Sequence, residues 1–236
     1  MFVNTRYRST KEEIMDDLSM EGEMLRKTLD QIAAINKRLG GNQATIDGVN
    51  TLLKRELKDA VITIVDLGCG NGDMLRAVAD FGRKNNFIFK LTGADANEYT
   101  VNYARKLSAT YPEINYLKID VLSVAFSTLK FDIAIATLFL HHFKNEEIES
   151  LLSGLIKQTT KGIVINDLHR CKKAYYLFKM ISIFIKNPMV RNDGAVSVLR
   201  GFKKTELMEI SKKIVNTVNT ISWQWAFRYQ WIIKKL

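Results

Sequence analysis

Val65-Asp66-Leu67-Gly68-Cys69-Gly70-Asn71-Gly72-Asp73 joins a short β-branched run, Val61-Ile62-Thr63-Ile64-Val65, to a stretch of helical spacing over 73–84. A run of that kind suits a parallel strand buried on both faces. The pattern predicts a strand ending at Asp66, a helix starting near Asp73 and a turn holding three alternating glycines. Glycine lets the backbone bend sharply and lets a ligand approach without meeting a Cβ. A tight strand-to-helix turn normally needs only one, so three point to a ligand at the carboxyl end of the strand, where open α/β sheets bind.

Working outward, apolar runs at 87–93, 115–119, 131–136 and 162–166 alternate with amphipathic segments at 99–110 and 146–158. Alternation of this kind implies right-handed crossovers and a parallel sheet covered on both faces. The expected class is α/β, a Rossmann-like doubly wound sheet. Segments 171–187 and 205–213 read as helices and 188–202 as a loop. From Ile214 to Leu236, β-branched and aromatic residues predict two strands that add an antiparallel C-terminal edge. Trp223, Trp225, Phe227, Tyr229 and Trp231 alternate with no turn residue between them, so the hairpin is not placed. Upstream, 9–39 holds no proline and only Gly22. Met24, Leu25, Leu29, Ile32, Ile35 and Leu39 recur at helical spacing, and Gly40-Gly41 ends the helix. A second helix over 43–58 carries Ile46, Val49, Leu52, Leu53 and Leu57. The expected organisation is a helical cap or lid over 1–58 and a ligand-binding core over 59–236, with 171–202 inserted to form part of a pocket.

The chain of 236 residues, 47% hydrophobic and 25% charged, has ordinary globular composition. Its formal charge of +10 favours anionic partners: nucleic acid, anionic lipid, or a substrate on an acidic or phosphorylated carrier. Solubility alone would also account for it. Cys69 and Cys171 suggest neither a disulfide framework nor a zinc site, which fits a reducing compartment. Met1-Phe2-Val3-Asn4-Thr5-Arg6 lacks the apolar run of a secretion signal. Lys179, Lys186 and Pro188 interrupt the longest apolar stretch, so no membrane span is expected and the location is read as cytoplasmic.

No Gly-Lys-Ser/Thr follows the glycines, and the spacing differs from the dinucleotide fingerprint G-x-G-x-x-G. Asp66 beside the loop disfavours a pyrophosphate and favours a cationic group. The pattern D-x-G-x-G-x-G resembles the first motif of class I methyltransferases, over roughly 62–166. That resemblance implies S-adenosylmethionine as cofactor, with Asp66 at its methionine end and Gly68, Cys69, Gly70, Asn71 and Gly72 around it. Asp95, followed by Ala96, has two acceptor oxygens for the ribose hydroxyls. Asp120 with Val121 would meet the adenine, and Thr137 and Leu138, in the loop after the fourth strand, would pass beneath the transferred methyl. Glu13-Ile14-Met15-Asp16-Asp17, Ile35-Asn36-Lys37-Arg38-Leu39-Gly40-Gly41, Asp167-Leu168-His169-Arg170 and the segment 192–202 resemble bacterial small-molecule methyltransferases of polyketide-type pathways. This second resemblance implies secondary metabolism and O-methylation of a phenolic, quinol or polyketide-like acceptor, apolar or aromatic and free or carrier-bound.

Ala136-Thr137-Leu138-Phe139-Leu140-His141-His142-Phe143 carries two of the three histidines, and His169 follows the next strand, so one cleft is expected to hold all three. Methyl transfer from a sulfonium depends chiefly on placement, which supplies roughly 7–11 kcal/mol. A phenol also gains from a base, and histidine is the natural one. His142 and His169 come first as candidates, then His141, with Asp167 orienting His169 or binding substrate. The other reading is that the His141-His142 pair caps the strand and orients the loop. No Asn/Asp-Pro-Pro-aromatic motif is present for amino-group methylation of DNA or glutamine, and neither cysteine suits cytosine C5 chemistry. No carboxylate cluster is expected near the fourth-strand end, hence no metal. An RNA methyltransferase, suggested by charge alone, and a non-catalytic cofactor-binding partner subunit are the alternatives, with homo-oligomerisation open. Two segments are candidate lids: the N-terminal helix pair, with Tyr7, Arg8, Asn36 and Gly40-Gly41 near the cofactor, and the apolar stretch 175–185, which is either buried under the cap or lines the acceptor pocket.

Overall fold

The computed structural model describes residues 3–54 and 59–236. Seven strands form one sheet: β1 (Val61–Leu67), β2 (Ile88–Asp95), β3 (Ile114–Lys118), β4 (Phe131–Thr137), β5 (Thr159–Leu168), β6 (Thr217–Gln224) and β7 (Arg228–Lys235). Their order is β3-β2-β1-β4-β5-β7-β6, with β7 antiparallel to both of its neighbours and the other pairs parallel. The order reverses between β1 and β4, so the ends of these strands open the crevice in which doubly wound sheets hold ligands. The expected fold class is therefore the observed one.

Period-two alternation explains how the sheet is covered. Ile62 and Ile64 of β1 and Ile133 and Ile135 of β4 join one buried cluster, with Leu75 and Val78 of α3 (Asp73–Lys84) and Val101 of α4 (Glu98–Leu107). Val65, Leu67, Ala134 and Ala136, one residue out of phase, join the opposite cluster with Leu151, Leu152 and Leu155 of α6 (Asn145–Gln158). The short α5 (Val124–Ser127) adds Phe126 to that second cluster. Of the segment expected as a cap, α2 (Gly41–Leu53) is a layer of the core: Val49 and Leu53 belong to the first cluster, and Gly48 lies against Val164 of β5. What lies over the strand ends is α1 (Gly22–Arg38) and the strap before it.

Three expectations change, and the hairpin turn left open above is placed. Helical structure does not begin at Ser9. Residues 9–21 form a strap with one 3₁₀ turn, Ile14–Asp16, because the N–H groups of Ile14 and Met15 donate to the Asp193 carboxylate instead of to an earlier carbonyl. The stretch 188–202, expected as a loop, holds α8 (Pro188–Arg200): the Asn187 side chain accepts from the Met189 N–H, and Pro188 takes the first turn, where proline is favoured. The hairpin turn falls at 225–227. The apolar stretch is α7 (Lys172–Ser182) and its continuation, packed on one side only: Phe178 abuts Gly194 of α8, whereas Met180, Ile183 and Phe184 face solvent. α9 (Lys204–Ser211) follows as expected. The continuation of the second helix to Lys58, with Leu57 on its face, lies outside the described residues.

At the amino ends of the strands the Asp132 carboxylate accepts from Thr63 N–H and Thr63 Oγ1, each at 2.9 Å, and from Thr160 Oγ1, clamping β1, β4 and β5. Burial pushes this carboxyl up, but the hydrogen bonds outweigh it and hold it below its ordinary value. Asp132→Ala should cost about 1–3 kcal/mol in urea unfolding. Because the folded-state value is depressed, the stabilisation is complete above the unfolded carboxylate value and lost as pH falls through the folded one. The wild-type advantage should therefore shrink below about pH 4.

Candidate active site

The loop after β1 takes its shape from its glycines: Gly68, Gly70 and Gly72 have φ of +63°, +52° and +78°. A Cβ on Gly68 would lie 2.1 Å from the Phe139 ring, and one on Gly72 would lie 2.0 Å from the Tyr116 hydroxyl. At Gly70 the nearest atom is Leu29 Cδ2 of α1, at 3.7 Å, so space remains above the loop. The Gly68 and Cys69 N–H groups donate to Ala94 O. The Gly70 N–H donates to one Asp95 oxygen (3.2 Å) and the Asn97 N–H to the other (3.0 Å). Asp95 is thereby pinned at the rim with lone pairs to spare.

The loop is strongly acidic. Asp66 is buried, and burial together with the charges of Asp73 and Asp95 pushes its carboxyl well above the ordinary range. Burial likewise raises Asp95, against the backbone N–H groups that hold it, and raises the Cys69 thiol. Every influence on Asp66 points the same way, so a cationic group beside it would be favoured. Asp120 is exposed at the end of β3 and accepts from Leu122 N–H, Val121 is buried beside it, and Ala96 is half-buried.

The N-terminal segment closes over this loop. Asn71 Nδ2 and the Tyr103 hydroxyl donate to Asp30 of α1, and Asn97 Nδ2 donates to Leu18 O and Met20 O of the strap. Beneath it a polar relay runs from Arg228 to Asn36 Oδ1, from Asn36 Nδ2 to Asn42 Oδ1 and from Asn42 Nδ2 to Asp73 Oδ2. Asn36 thus reaches Asp73 through Asn42, and Gly41 packs against Asn36 and Arg228. Arg8 instead reaches the β4 loop, donating to His141 O and Phe143 O, while Tyr7 stays exposed.

At the end of β4, Thr137 Oγ1 meets Thr45 Oγ1 at 2.8 Å. Leu138 then adopts φ +53°, a strained conformation for leucine, and turns the chain into the histidine pair. The two imidazoles lie 4.3 Å apart between centroids. His141 is buried, with Nδ1 2.7 Å from Asp167 Oδ1 and Nε2 3.4 Å from Glu13 Oε1. Burial alone would lower its pKa, but the two carboxylates outweigh it and raise it to about 10. Glu13 and Asp167, pushed up by burial, are held down by the imidazolium. His142 is half-buried, with Nδ1 2.6 Å from Asp16 Oδ1, and the other Asp16 oxygen receives Arg200 Nη1. Burial raises the Asp16 carboxyl, and His142 and Arg200 more than reverse this.

The expectation of no carboxylate cluster near the end of β4 is therefore corrected: Glu13, Asp16 and Asp167 all converge there. Glu13, His141 and His142 offer one donor atom each within 4.8 Å of one another. Both His141 nitrogens, however, already face carboxylates, with Glu13 Oε1 held only by the 3.4 Å ion-pair contact to Nε2. Nor does His169 join the pair. It accepts from Trp223 Nε1 at 3.3 Å and packs on Tyr229 at 4.9 Å, because the β6–β7 hairpin reaches that end of β5. Asp167 orients His141 and not His169. Cys171 caps α7, its sulfur accepting from Ala174 N–H.

Sequence reasoning missed Glu13, Asp16, Ser197 and Arg200 as partners of the histidines. Ser197 Oγ donates to Glu13 Oε2, and Arg200 Nε donates to His141 O. The segments 13–17 and 192–202 carried the signal, through resemblance, but their mutual contact was not in the spacing.

Residues 64–162 match the family model described as a methyltransferase domain. No curated protein matches the chain in sequence. Among solved structures, the plantazolicin methyltransferase BpumL in complex with SAH is 15% identical, with 89% of this chain and 90% of that chain covered and a TM-score of 0.68. The magnesium protoporphyrin IX methyltransferase (ChlM) from Synechocystis PCC 6803 with bound SAM is also 15% identical, covering 94% and 89% at TM-score 0.56. A CurJ carbon methyltransferase is 10% identical, covering 81% of this chain and 53% of that one at TM-score 0.61. The fold is that of class I methyltransferases.

The His141 value raised to about 10 means that its stabilisation is complete below the unfolded histidine range and lost only as pH rises through about 10. The His141 ring carbon shifts in NMR should stay constant across pH 6–8, a window in which an unperturbed imidazole titrates midway. A midpoint near 6.5 would show that the carboxylates do not hold the proton.

Proposed function

We propose that this chain is an S-adenosylmethionine-dependent methyltransferase that methylates an oxygen of an apolar, aromatic small molecule, with His142 as general base. The observation that carries the reading is the His142–Asp16 pair, which sits at the switch point of the sheet beside a glycine loop whose buried Asp66 is raised by burial and by Asp73 and Asp95. S-adenosylmethionine suits those residues: it brings a sulfonium and an ammonium group, two ribose hydroxyls for the remaining lone pairs of Asp95, and an adenine for the Asp120-Val121 edge. The methyltransferase-domain match and neighbours solved with SAM or SAH bound support the same choice. The phenolic, quinol or polyketide-like class of acceptor rests on the resemblance of the segments 13–17 and 192–202.

Bound at the loop, S-adenosylmethionine supplies an already activated methyl group, so the protein mainly has to place the acceptor. Asp66 and Asp95 fix the cofactor's two ends. α1 and the strap, held by Asp30 and Asn97, exclude water from the transfer. Asp16 accepts a hydrogen bond from Nδ1–H of His142, which keeps the proton on Nδ1 and leaves the Nε2 lone pair for the acceptor hydroxyl. His142 Nε2 would take the hydroxyl proton as the acceptor oxygen receives the methyl group that bound S-adenosylmethionine would supply. His141, already protonated and enclosed, is a positioning residue: with Asp167, Arg8 and Arg200 it fixes the loop that carries His142.

Calorimetry should give heat with S-adenosylmethionine and its demethylated product, and Asp95→Ala should weaken both by roughly 10–100-fold. No heat with folded wild-type protein would overturn the cofactor assignment. His142→Ala should lower kcat on a phenolic acceptor about 10²–10⁴-fold with cofactor affinity unchanged. Asp16→Asn should lower it less and shift the pH profile. If His142→Ala keeps wild-type kcat across pH, His142 is not the base.

A further inference from the structure

Between Cys171 and Asp193 the sequence holds Lys172, Lys173, Lys179, Lys186 and Arg191 and no acidic residue. α7 and its continuation carry most of this segment. Ala174, Phe178 and Ser182, spaced by four, form the inner stripe: Ala174 and Ser182 are buried, and Phe178 packs against Gly194. The outer stripe is apolar as well. Tyr176, Met180, Ile183 and Phe184 are 43%, 59%, 72% and 87% exposed, so exposure rises toward the C-terminal tip. Ahead of the strap, the Val3 N–H donates to the Tyr176 hydroxyl, and the Arg6 guanidinium lies over the exposed Tyr7 ring. A water-facing row of Met, Ile and Phe within an all-basic segment is unfavourable for a helix meant to stay in water, and it is the composition of a helix that lies in a bilayer interface.

We propose that this face docks on the surface of a membrane containing anionic lipid, with Ile183 and Phe184 entering the acyl boundary and the lysines at headgroup level. Two observations select a bilayer over a folded protein partner. Ile183 and Phe184, the most exposed apolar residues of this segment, lie together just beyond the C-terminal end of α7. The flanking charge is of a single sign, which complements a uniformly anionic surface. Among the described residues no helix is long and apolar enough to cross a membrane, so the contact is peripheral. The docking needs no property of the methyl-transfer site. If the acceptor is the apolar molecule proposed above, the same face places the enzyme where such a molecule dissolves.

The test is co-sedimentation of the full chain with vesicles of phosphatidylcholine alone and of phosphatidylcholine mixed with phosphatidylglycerol. Binding is expected to the mixed vesicles at low salt, at least about tenfold weaker to the neutral ones, and to fall as salt screens the lysines. Ile183→Ser with Phe184→Ser, and separately Lys179→Glu with Lys186→Glu, should each lower binding by about tenfold or more. Far-ultraviolet circular dichroism should report unchanged fold. Phe184→Trp should give a blue-shifted emission on mixed vesicles only. Failure to bind mixed vesicles, or equal binding by the Ser double variant, would overturn the proposal. So would a vesicle-free, concentration-dependent dimer that Phe184→Ser abolishes, which would assign the face to a second copy of the chain.

Discussion

A protonated imidazole enclosed by two carboxylates organises the mouth of this sheet. His141 lies between Asp167 of β5 and Glu13 of the strap, and its backbone carbonyl receives both Arg8 and Arg200. A buried ion is tolerated only when its partners are in place, and removing one partner strands the others. The strap, the β4 loop, the end of β5 and α8 are therefore not free to settle independently. The neighbouring His142 inherits a fixed position from this network while staying partly exposed.

The glycine loop works by the opposite arrangement. His141 has its countercharges supplied from within the chain, whereas burial and the charges of Asp73 and Asp95 raise the proton affinity of Asp66. The glycine-loop half of the crevice thus favours a cationic group. Positive φ at the three glycines keeps side chains out of that space, and α1 closes above it through Asp30, which joins Asn71 to Tyr103.

The sheet was legible because its signals are local. β-branched runs mark β1 and β4, period two assigns their residues to opposite faces, and D-x-G-x-G-x-G names the loop. Histidines 141 and 142 were found by their place after β4. Their carboxylate partners were not, because Glu13 and Asp16 are more than a hundred residues away, in a strap with a single 3₁₀ turn that is held in place by Asp193. α8 was misread as a loop because its polar and glycine residues obscure helical spacing, although Asn187-Pro188 is a proper start signal. His169 was misplaced because the position of the β6–β7 turn, and so the reach of Trp223, could not be read from a run of alternating aromatics.

The relay from Arg228 through Asn36 and Asn42 to Asp73 bears on the order in which the molecule can be completed. Arg228 opens β7, which leaves the ribosome after every other element of the relay. The nascent chain can lay down β1 to β4 and the helices upon them early, but the amides flanking the glycine loop stay unanchored at one end until β7 inserts beside β5. Maturation of the crevice is thus coupled to the last step of sheet closure.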